Sequence, residues 1–182
     1  GAAIPIIEKI HLKHKASSYM NTIVSSRKPF GLATNVRPET KGNLELIHSG
    51  GSGPYPINKI TVGTELVKKW NVITSKASHD HGGMPDKEGK RRVLSKIELL
   101  KPDQVCTETY LIVGSFDNEN EANKLIVYLR TKLVRFLISL LSVSQDITKE
   151  RFSHVPILSF KYEWDDESLY KYFALSSADI EF

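Results

Sequence analysis

Residues 115–145 read SFDNENEANKLIVYLRTKLVRFLISLLSVSQ, and this stretch sets the expected architecture. Leu125, Ile126, Leu129, Leu133, Phe136, Leu137, Leu140 and Leu141 recur at steps of three and four, the period of a helix with a wide buried face. Asn118 stands as an N-cap with Glu121 three residues on, and Glu119 and Glu121 suit the positive end of the helix dipole. No Pro or Gly interrupts the run, so the sequence predicts one helix over 118–142, spanning roughly 35 Å at ~1.5 Å per residue. Away from the apolar face, Lys124, Tyr128, Lys132 and Arg135 fall on one stripe. Such a stripe suits a phosphate backbone, although a solvated face is the plainer reading for one helix alone. Arg135 interrupts the apolar run from Leu133 to Val143, which is shorter than the ~20 residues a membrane span needs, so no membrane partner is expected.

Working outward, Ile4 to Ile10 predicts a short leading helix with Ile6, Ile7 and Ile10 on one face, and Tyr19, Ile23 and Val24 extend a helical pattern to Ser25. Pro29 breaks it, and Phe30, Leu32 and Val36 begin a strand-like alternation. Leu44–Ile47 reads as a strand, followed by Gly50, Gly51, Ser52 and Gly53 as a longer hairpin loop into YPINKITV. Thr64 to Lys69 predicts a helical turn, Trp70–Ser75 a strand, and KASHDHGGMPDKEGKRRV a charge-dense surface loop. Arg92–Leu100 and Gln104–Val113 read as two strands around the turn residues Pro102 and Asp103. Beyond the long helix come a connection with a helical turn and an extended piece at Pro156. Two short helices then follow, 165–172 and 176–182, capped by Asp165 and Ser176. The expected fold is α+β: a mostly antiparallel sheet packed on one long helix, with small C-terminal helices, in a single domain over 1–182.

The 182 residues carry 40% hydrophobic and 25% charged side chains, the proportions of an ordinary globular chain. A net charge of +4 and a pI near 9.0 favour a polyanionic partner only mildly. The single Cys106 excludes an intramolecular disulfide and fits a reducing, cytoplasmic compartment. The start GAAIPIIEKIHLKHK has no uninterrupted apolar core of a signal peptide. With Gly1 at the start and no tail after Phe182, the sequence reads as a piece of a longer protein.

Catalytic signatures are weak. Pro85-Asp86 with Glu88-Gly89-Lys90 spells the letters of a Mg²⁺-dependent nuclease signature, but all lie in one Gly-bounded loop, whereas that chemistry needs carboxylates from adjacent rigid strands. His79-Asp80-His81 lacks a second pair of ligands at metal-binding spacing, so no metal site is assigned. There is no Gly-x-Ser-x-Gly elbow, P-loop or dinucleotide fingerprint, and no catalytic residue is named. What remains are basic and polar groups at breaks and loops: Arg27 and Lys28, then Lys76, His79, His81, Lys87, Lys90, Arg91 and Arg92. Lys and Arg neutralise phosphates, and Arg or His at a loop tip also reaches base edges. A charged loop made for solubility is an equally good account of them.

Four stretches carry a resemblance: SSRKPFGLATNV, then VCTETYLIVGSFDNENEANKLIVYLRTKLVRFLISLLSVSQD, then HVPILSF, and finally WDDESLYKYFALSSADIEF. In that order they resemble the segment that follows the catalytic domain in bacterial restriction-modification adenine-specific DNA methyltransferases and their fused methylase-endonuclease relatives. The match is most specific at Ser26–Gly31, at Thr107-Glu108-Thr109-Tyr110, and at Trp164 with Leu169-Tyr170. The resemblance implies a DNA target-recognition domain that grips double-stranded DNA while a neighbouring methyltransferase domain or subunit flips and methylates adenine. The parent's cofactor would be S-adenosylmethionine. The Asn-Pro-Pro-Tyr motif and the glycine-bearing cofactor motif of that family do not occur in this sequence, so no cofactor and no methyl transfer are expected of this chain itself. The family role would place Arg27, Lys28, Arg91 and Arg92 on phosphates, with Lys132 of the basic stripe, and give base reading to the 76–92 loop and Gln145. Gln suits adenine through its amide, and Gln145 also serves as a helix-end residue. The alternative is a protein-docking domain for a methylase or nuclease partner; a Mg²⁺-dependent nuclease would need Asp86, Glu88 and Lys90.

Overall fold

The structure, a computed structural model, describes residues 3–15, 18–76, 94, 96–141 and 147–182. It is α+β. Helix α1 (Ala3–Lys13) precedes strands β1 (Leu44–His48), β2 (Gly51–Tyr55), β3 (Trp70–Ser75), β4 (Ile97–Leu100), β5 (Gln104–Cys106) and β6 (Tyr110–Phe116). Helices α2 (Glu119–Leu129), α3 (Lys132–Ser139) and α4 (Asp166–Tyr172) follow. The described strands form two three-stranded sheets where one was expected. One has the order β4–β3–β6 and is antiparallel throughout; the other has the order β2–β1–β5, a β1–β2 hairpin extended by a parallel β1–β5 pair.

Strands β3 and β6 bury side chains on both faces, as a sheet covered on both sides does, with Asn71 and Thr74 as buried polar members of β3. Val72, Leu111 and Val113 enter a core shared with Ile6, Leu125, Leu129 and Leu137 of the helices. Ile73 and Ile112 enter a second core with Phe30, Leu46, Leu100 and Val105, which sits under the smaller sheet. Successive residues of an extended strand face opposite sides, so one ladder organises both cores. Helix α2 comes close to β6 at Gly114, where a Cβ would stand 2.4 Å from Leu125 Cδ2 and displace it.

The uninterrupted helix expected over 118–142 is instead two helices. The Arg130 N–H is shared between the carbonyls of Ile126 and Val127, at 3.3 and 3.1 Å. Thr131 then turns to ψ 155°. Its hydroxyl donates to the Tyr128 carbonyl at 2.7 Å and accepts the Val134 N–H at 3.3 Å, capping α3. Thr is a favoured N-cap, and a Thr directly ahead of an apolar run is a start signal that a search for Pro and Gly passes over. The proposed basic stripe is corrected too. Tyr128 is 1% exposed, and its hydroxyl donates to the Pro156 carbonyl at 2.7 Å, so no continuous stripe runs from Lys124 to Arg135.

Other departures have local causes. Residues 30–36 form no strand, because Phe30 and Leu32 are spent on the second core rather than on one face of a sheet. The run 104–113 divides into β5 and β6, which join different sheets. Gly51 and Gly53 lie within β2, so the hairpin turn is shorter than expected. The segment 176–182 is a turn, in which Ser176 and Asp179 exchange side-chain-to-backbone hydrogen bonds at 2.8 and 3.2 Å. Lys9 of α1 pairs with the Asp179 carboxylate and ties the two ends of the chain together. The Asn118 and Asp165 caps form as the sequence indicates, each accepting the N–H three residues on, at 2.9 and 2.8 Å.

Replacing Thr131 by Ala removes the α3 cap and costs about 1 kcal/mol. For a chain of this length thermal unfolding then shifts down by roughly 2–4 °C. An unchanged midpoint would mean that Thr131 does not end α2.

Candidate nucleic-acid interface

Ser25 begins the site by binding the free edge of β6: its N–H donates to the Ile112 carbonyl at 2.8 Å, and its Oγ accepts the Ile112 N–H at 3.0 Å. The chain then turns at Pro29, and Phe30, fully buried, plugs the second core. Gly63 lets this turn dock. It has φ +69°, and a Cβ on it would lie 2.2 Å from the Pro29 carbonyl oxygen. Farther on, the Glu108 N–H donates to the Leu32 carbonyl at 2.8 Å. Burying a side chain such as Phe30 or Leu32 is worth about 1.5–3 kcal/mol, so the loop that carries Arg27 and Lys28 is anchored at both ends.

Against this loop lie the end of β3 and the connection after α3. The Lys76 N–H donates to the Thr109 carbonyl at 2.9 Å, and the Ile147 N–H donates to the Lys76 carbonyl at 2.7 Å. Together these segments enclose a cleft of 530 Å³. Leu111 and Ile147, both buried, belong to the core beneath it; Arg27 and Lys149 lie around it, and the Lys76 ammonium is shielded from solvent.

Two carboxylates share the cleft, Glu108 and Glu150. The Glu108 Oε1 accepts the Thr34 hydroxyl at 3.1 Å, and Lys28 Nζ lies 3.9 Å from Oε2. Burial pushes the Glu108 carboxyl up, but the Thr34 hydrogen bond and the charges of Lys28 and Lys76 outweigh it and hold the group below the ordinary glutamate range. Hydrogen bonds from its own backbone N–H and from Thr148 likewise lower Glu150. Both are ionised at neutral pH, which makes the cleft bipolar rather than uniformly basic. Next to it, burial raises the Cys106 thiol well above its usual range, so this cysteine is an inert core side chain.

Of the residues singled out in the sequence, Arg27 and Lys76 line the cleft, and Lys28 reaches it through Glu108. Lys132 does not belong to it: it is exposed at the start of α3, where its backbone N–H donates to Asp166 at 2.6 Å. His79, His81, Lys90, Arg91, Arg92 and Gln145 lie outside the described residues, as do Asp86 and Glu88. Among the described residues no group of three His, Cys, Asp or Glu is placed to hold a metal ion, and no helix is long and apolar enough to cross a membrane. Thr34, Lys149 and Glu150 were not legible as site residues. Lys149 and Glu150 sit in a short connection with no spacing signal, and the Ile147–Lys76 hydrogen bond helps bring them to the cleft.

No family model, no curated protein and no solved structure matches the chain.

Lys28→Ala and Thr34→Val each raise the Glu108 pKa toward the ordinary glutamate value, read by carboxyl NMR titration. Its folded-state pKa is depressed, so the stability it contributes is complete above the ordinary range and is lost as pH falls through the folded-state value. A titration unmoved in both variants contradicts this electrostatic account.

Proposed function

We propose that this chain is the target-recognition domain of a restriction-modification DNA N6-adenine methyltransferase, binding duplex DNA without catalysis of its own. One observation carries the reading. Ser26–Gly31 and Thr107–Tyr110, two of the three stretches on which the family resemblance is most specific, are about 80 residues apart in sequence yet meet at one cleft, with Arg27, Lys28 and Lys149 around it. Cations on anchored backbone suit phosphate contacts that fix the register of a duplex. Both stretches expected to carry base readers join the described fold at residues that line this cleft. Lys76 directly precedes residues 77–93, and Ile147 directly follows residues 142–146. Adenine methylation belongs on this reading to a separate methyltransferase domain or subunit, which binds S-adenosylmethionine.

A second reading, docking onto a methylase or nuclease partner through the long-helix region and the C-terminal helices, draws on Val127 of α2 and Tyr172 of α4, which are 48% and 37% exposed. Two isolated apolar side chains support it less than the convergent cleft supports DNA binding.

Fluorescence anisotropy of a labelled duplex at several salt concentrations separates the two. Affinity falls steeply with salt, and Arg27→Ala/Lys28→Ala lowers both affinity and the log–log slope, by about 1.8 for two lost phosphate contacts. No binding at low salt, or binding with an unchanged slope in the double variant, contradicts the DNA reading.

A further inference from the structure

Helix α1 is held on the fold by side chains. Among the described residues its backbone bonds to no other element, and what docks it is the burial of Ile6 and Ile10, the Lys9–Asp179 pair and the Lys13 ammonium 4.8 Å from the centre of the Tyr172 ring. At its end two imidazoles close on Tyr19, which is 5% exposed. The Tyr19 ring lies 5.4 Å from that of His11 and 5.3 Å from that of His14, and its hydroxyl reaches His11 Nδ1 at 3.3 Å and the His14 carbonyl at 3.4 Å. Tyr19 is fixed in turn to residues 155–157: it bridges Pro156, the Met20 N–H donates to the Val155 carbonyl at 2.8 Å, and the Ile157 N–H donates to the Ser18 carbonyl at 2.7 Å. Directly before that stretch stands His154, half-buried, which brings a third imidazole near enough for the charge of His11 to act on it.

We propose that His11 and His154 form an acid-sensitive clasp, which keeps α1 docked near neutral pH and releases it, baring Ile6 and Ile10, when both imidazoles carry a proton. The inference is independent of the DNA-binding reading. Histidine is the side chain that changes charge between pH 7 and 5. His14 is not the sensor. The Ser18 carbonyl, 2.6 Å from its Nε2, can only accept, so Nε2 donates from the neutral and the charged ring alike and that bond survives acid. His154 is different: burial, and then the charge of His11, hold it below the ordinary histidine range, and no carboxylate offsets them. The other charged groups along the two segments are Glu8, Lys13 and Lys15 on one side and Glu150 and Arg151 on the other. Glu8 is the one carboxylate of α1, Glu150 is engaged by Thr148, and Lys9 is spent on Asp179. Releasing α1 takes the His11 charge away from His154, so the released state binds more protons than the docked one below about pH 6.5 and gains ground as pH falls. A terminal helix docked in this way opens locally, without the rest of the fold.

The test is amide hydrogen exchange of the α1 residues Ile7 to Lys13, read by NMR between about pH 7.5 and 5.0 and divided by the intrinsic rate at each pH, with the amides of α2 as internal reference. The expected result is that α1 protection falls at least about threefold toward the acid end, the linkage of half a pKa unit, while α2 protection holds. His11→Gln and His154→Gln each flatten the α1 profile, and in His11→Gln the His154 imidazole titration moves up toward the ordinary histidine value. A flat α1 profile in the wild-type chain overturns the inference. So does a fall that α2 shares in full, which would be general acid destabilisation, or a fall that persists undiminished in both variants, which would place the sensor elsewhere. The wild-type profile decides against the clasp even if a variant folds poorly, and His11, exposed on α1, is the substitution the fold tolerates better.

Discussion

The antiparallel ladder between β3 and β6 is the constraint on which the rest depends. Both strands are buried on both faces, so each must hand alternate side chains to a different core, Val72 and Val113 to the helices and Ile73 and Ile112 to the smaller sheet. A slip of one residue would exchange the two sets and disrupt both cores at once, which makes the register strongly specified. The two cores then do different work. The helical one supplies most of the buried apolar surface, whereas the smaller one holds the turn at Pro29 and Phe30 against the free edge of β6.

That arrangement explains why the cleft forms where it does. β6 pairs with β3 along one edge, and its other edge is met by Ser25, so the segment that carries Arg27 and Lys28 is in effect hydrogen-bonded to the central sheet. The Lys76 backbone is pinned from two sides, by Thr109 and by Ile147. Groups held by backbone bonds and buried anchors lose less freedom on meeting a ligand than groups at the tip of a loop, which is the condition for a precise polyanion contact. The carboxylate of Glu108 belongs to the same frame, since its backbone N–H holds Leu32 while its side chain holds Thr34 and neighbours Lys28.

Legibility followed the range of the interactions. Trp70–Ser75 was readable because four strand-forming residues, Trp70, Val72, Ile73 and Thr74, fall within six positions, and the Asn118 and Asp165 caps because capping acts over three residues. The helix break at Thr131 had a local signal that was outweighed by an apolar period running straight through it. Residues 30–36 carried a misleading alternation: Phe30 and Leu32 are spaced as on a strand, but what fixes them is the Gly63 contact and the second core, neither visible from nearby sequence. The site was half legible for the same reason. Arg27, Lys28 and Lys76 stand out as cations at chain breaks, whereas Thr34, Lys149 and Glu150 acquire meaning only through hydrogen bonds spanning some 70 residues or more.

The most direct test of the central claim is a map of where DNA touches the chain, from amide chemical-shift changes in an NMR titration with a short duplex at low salt. The account predicts that the changes among the described residues concentrate at 25–34, 107–111 and 147–150, with α1 and the β1–β2 hairpin unperturbed. Changes concentrated on α1, with those three segments unmoved, would contradict it.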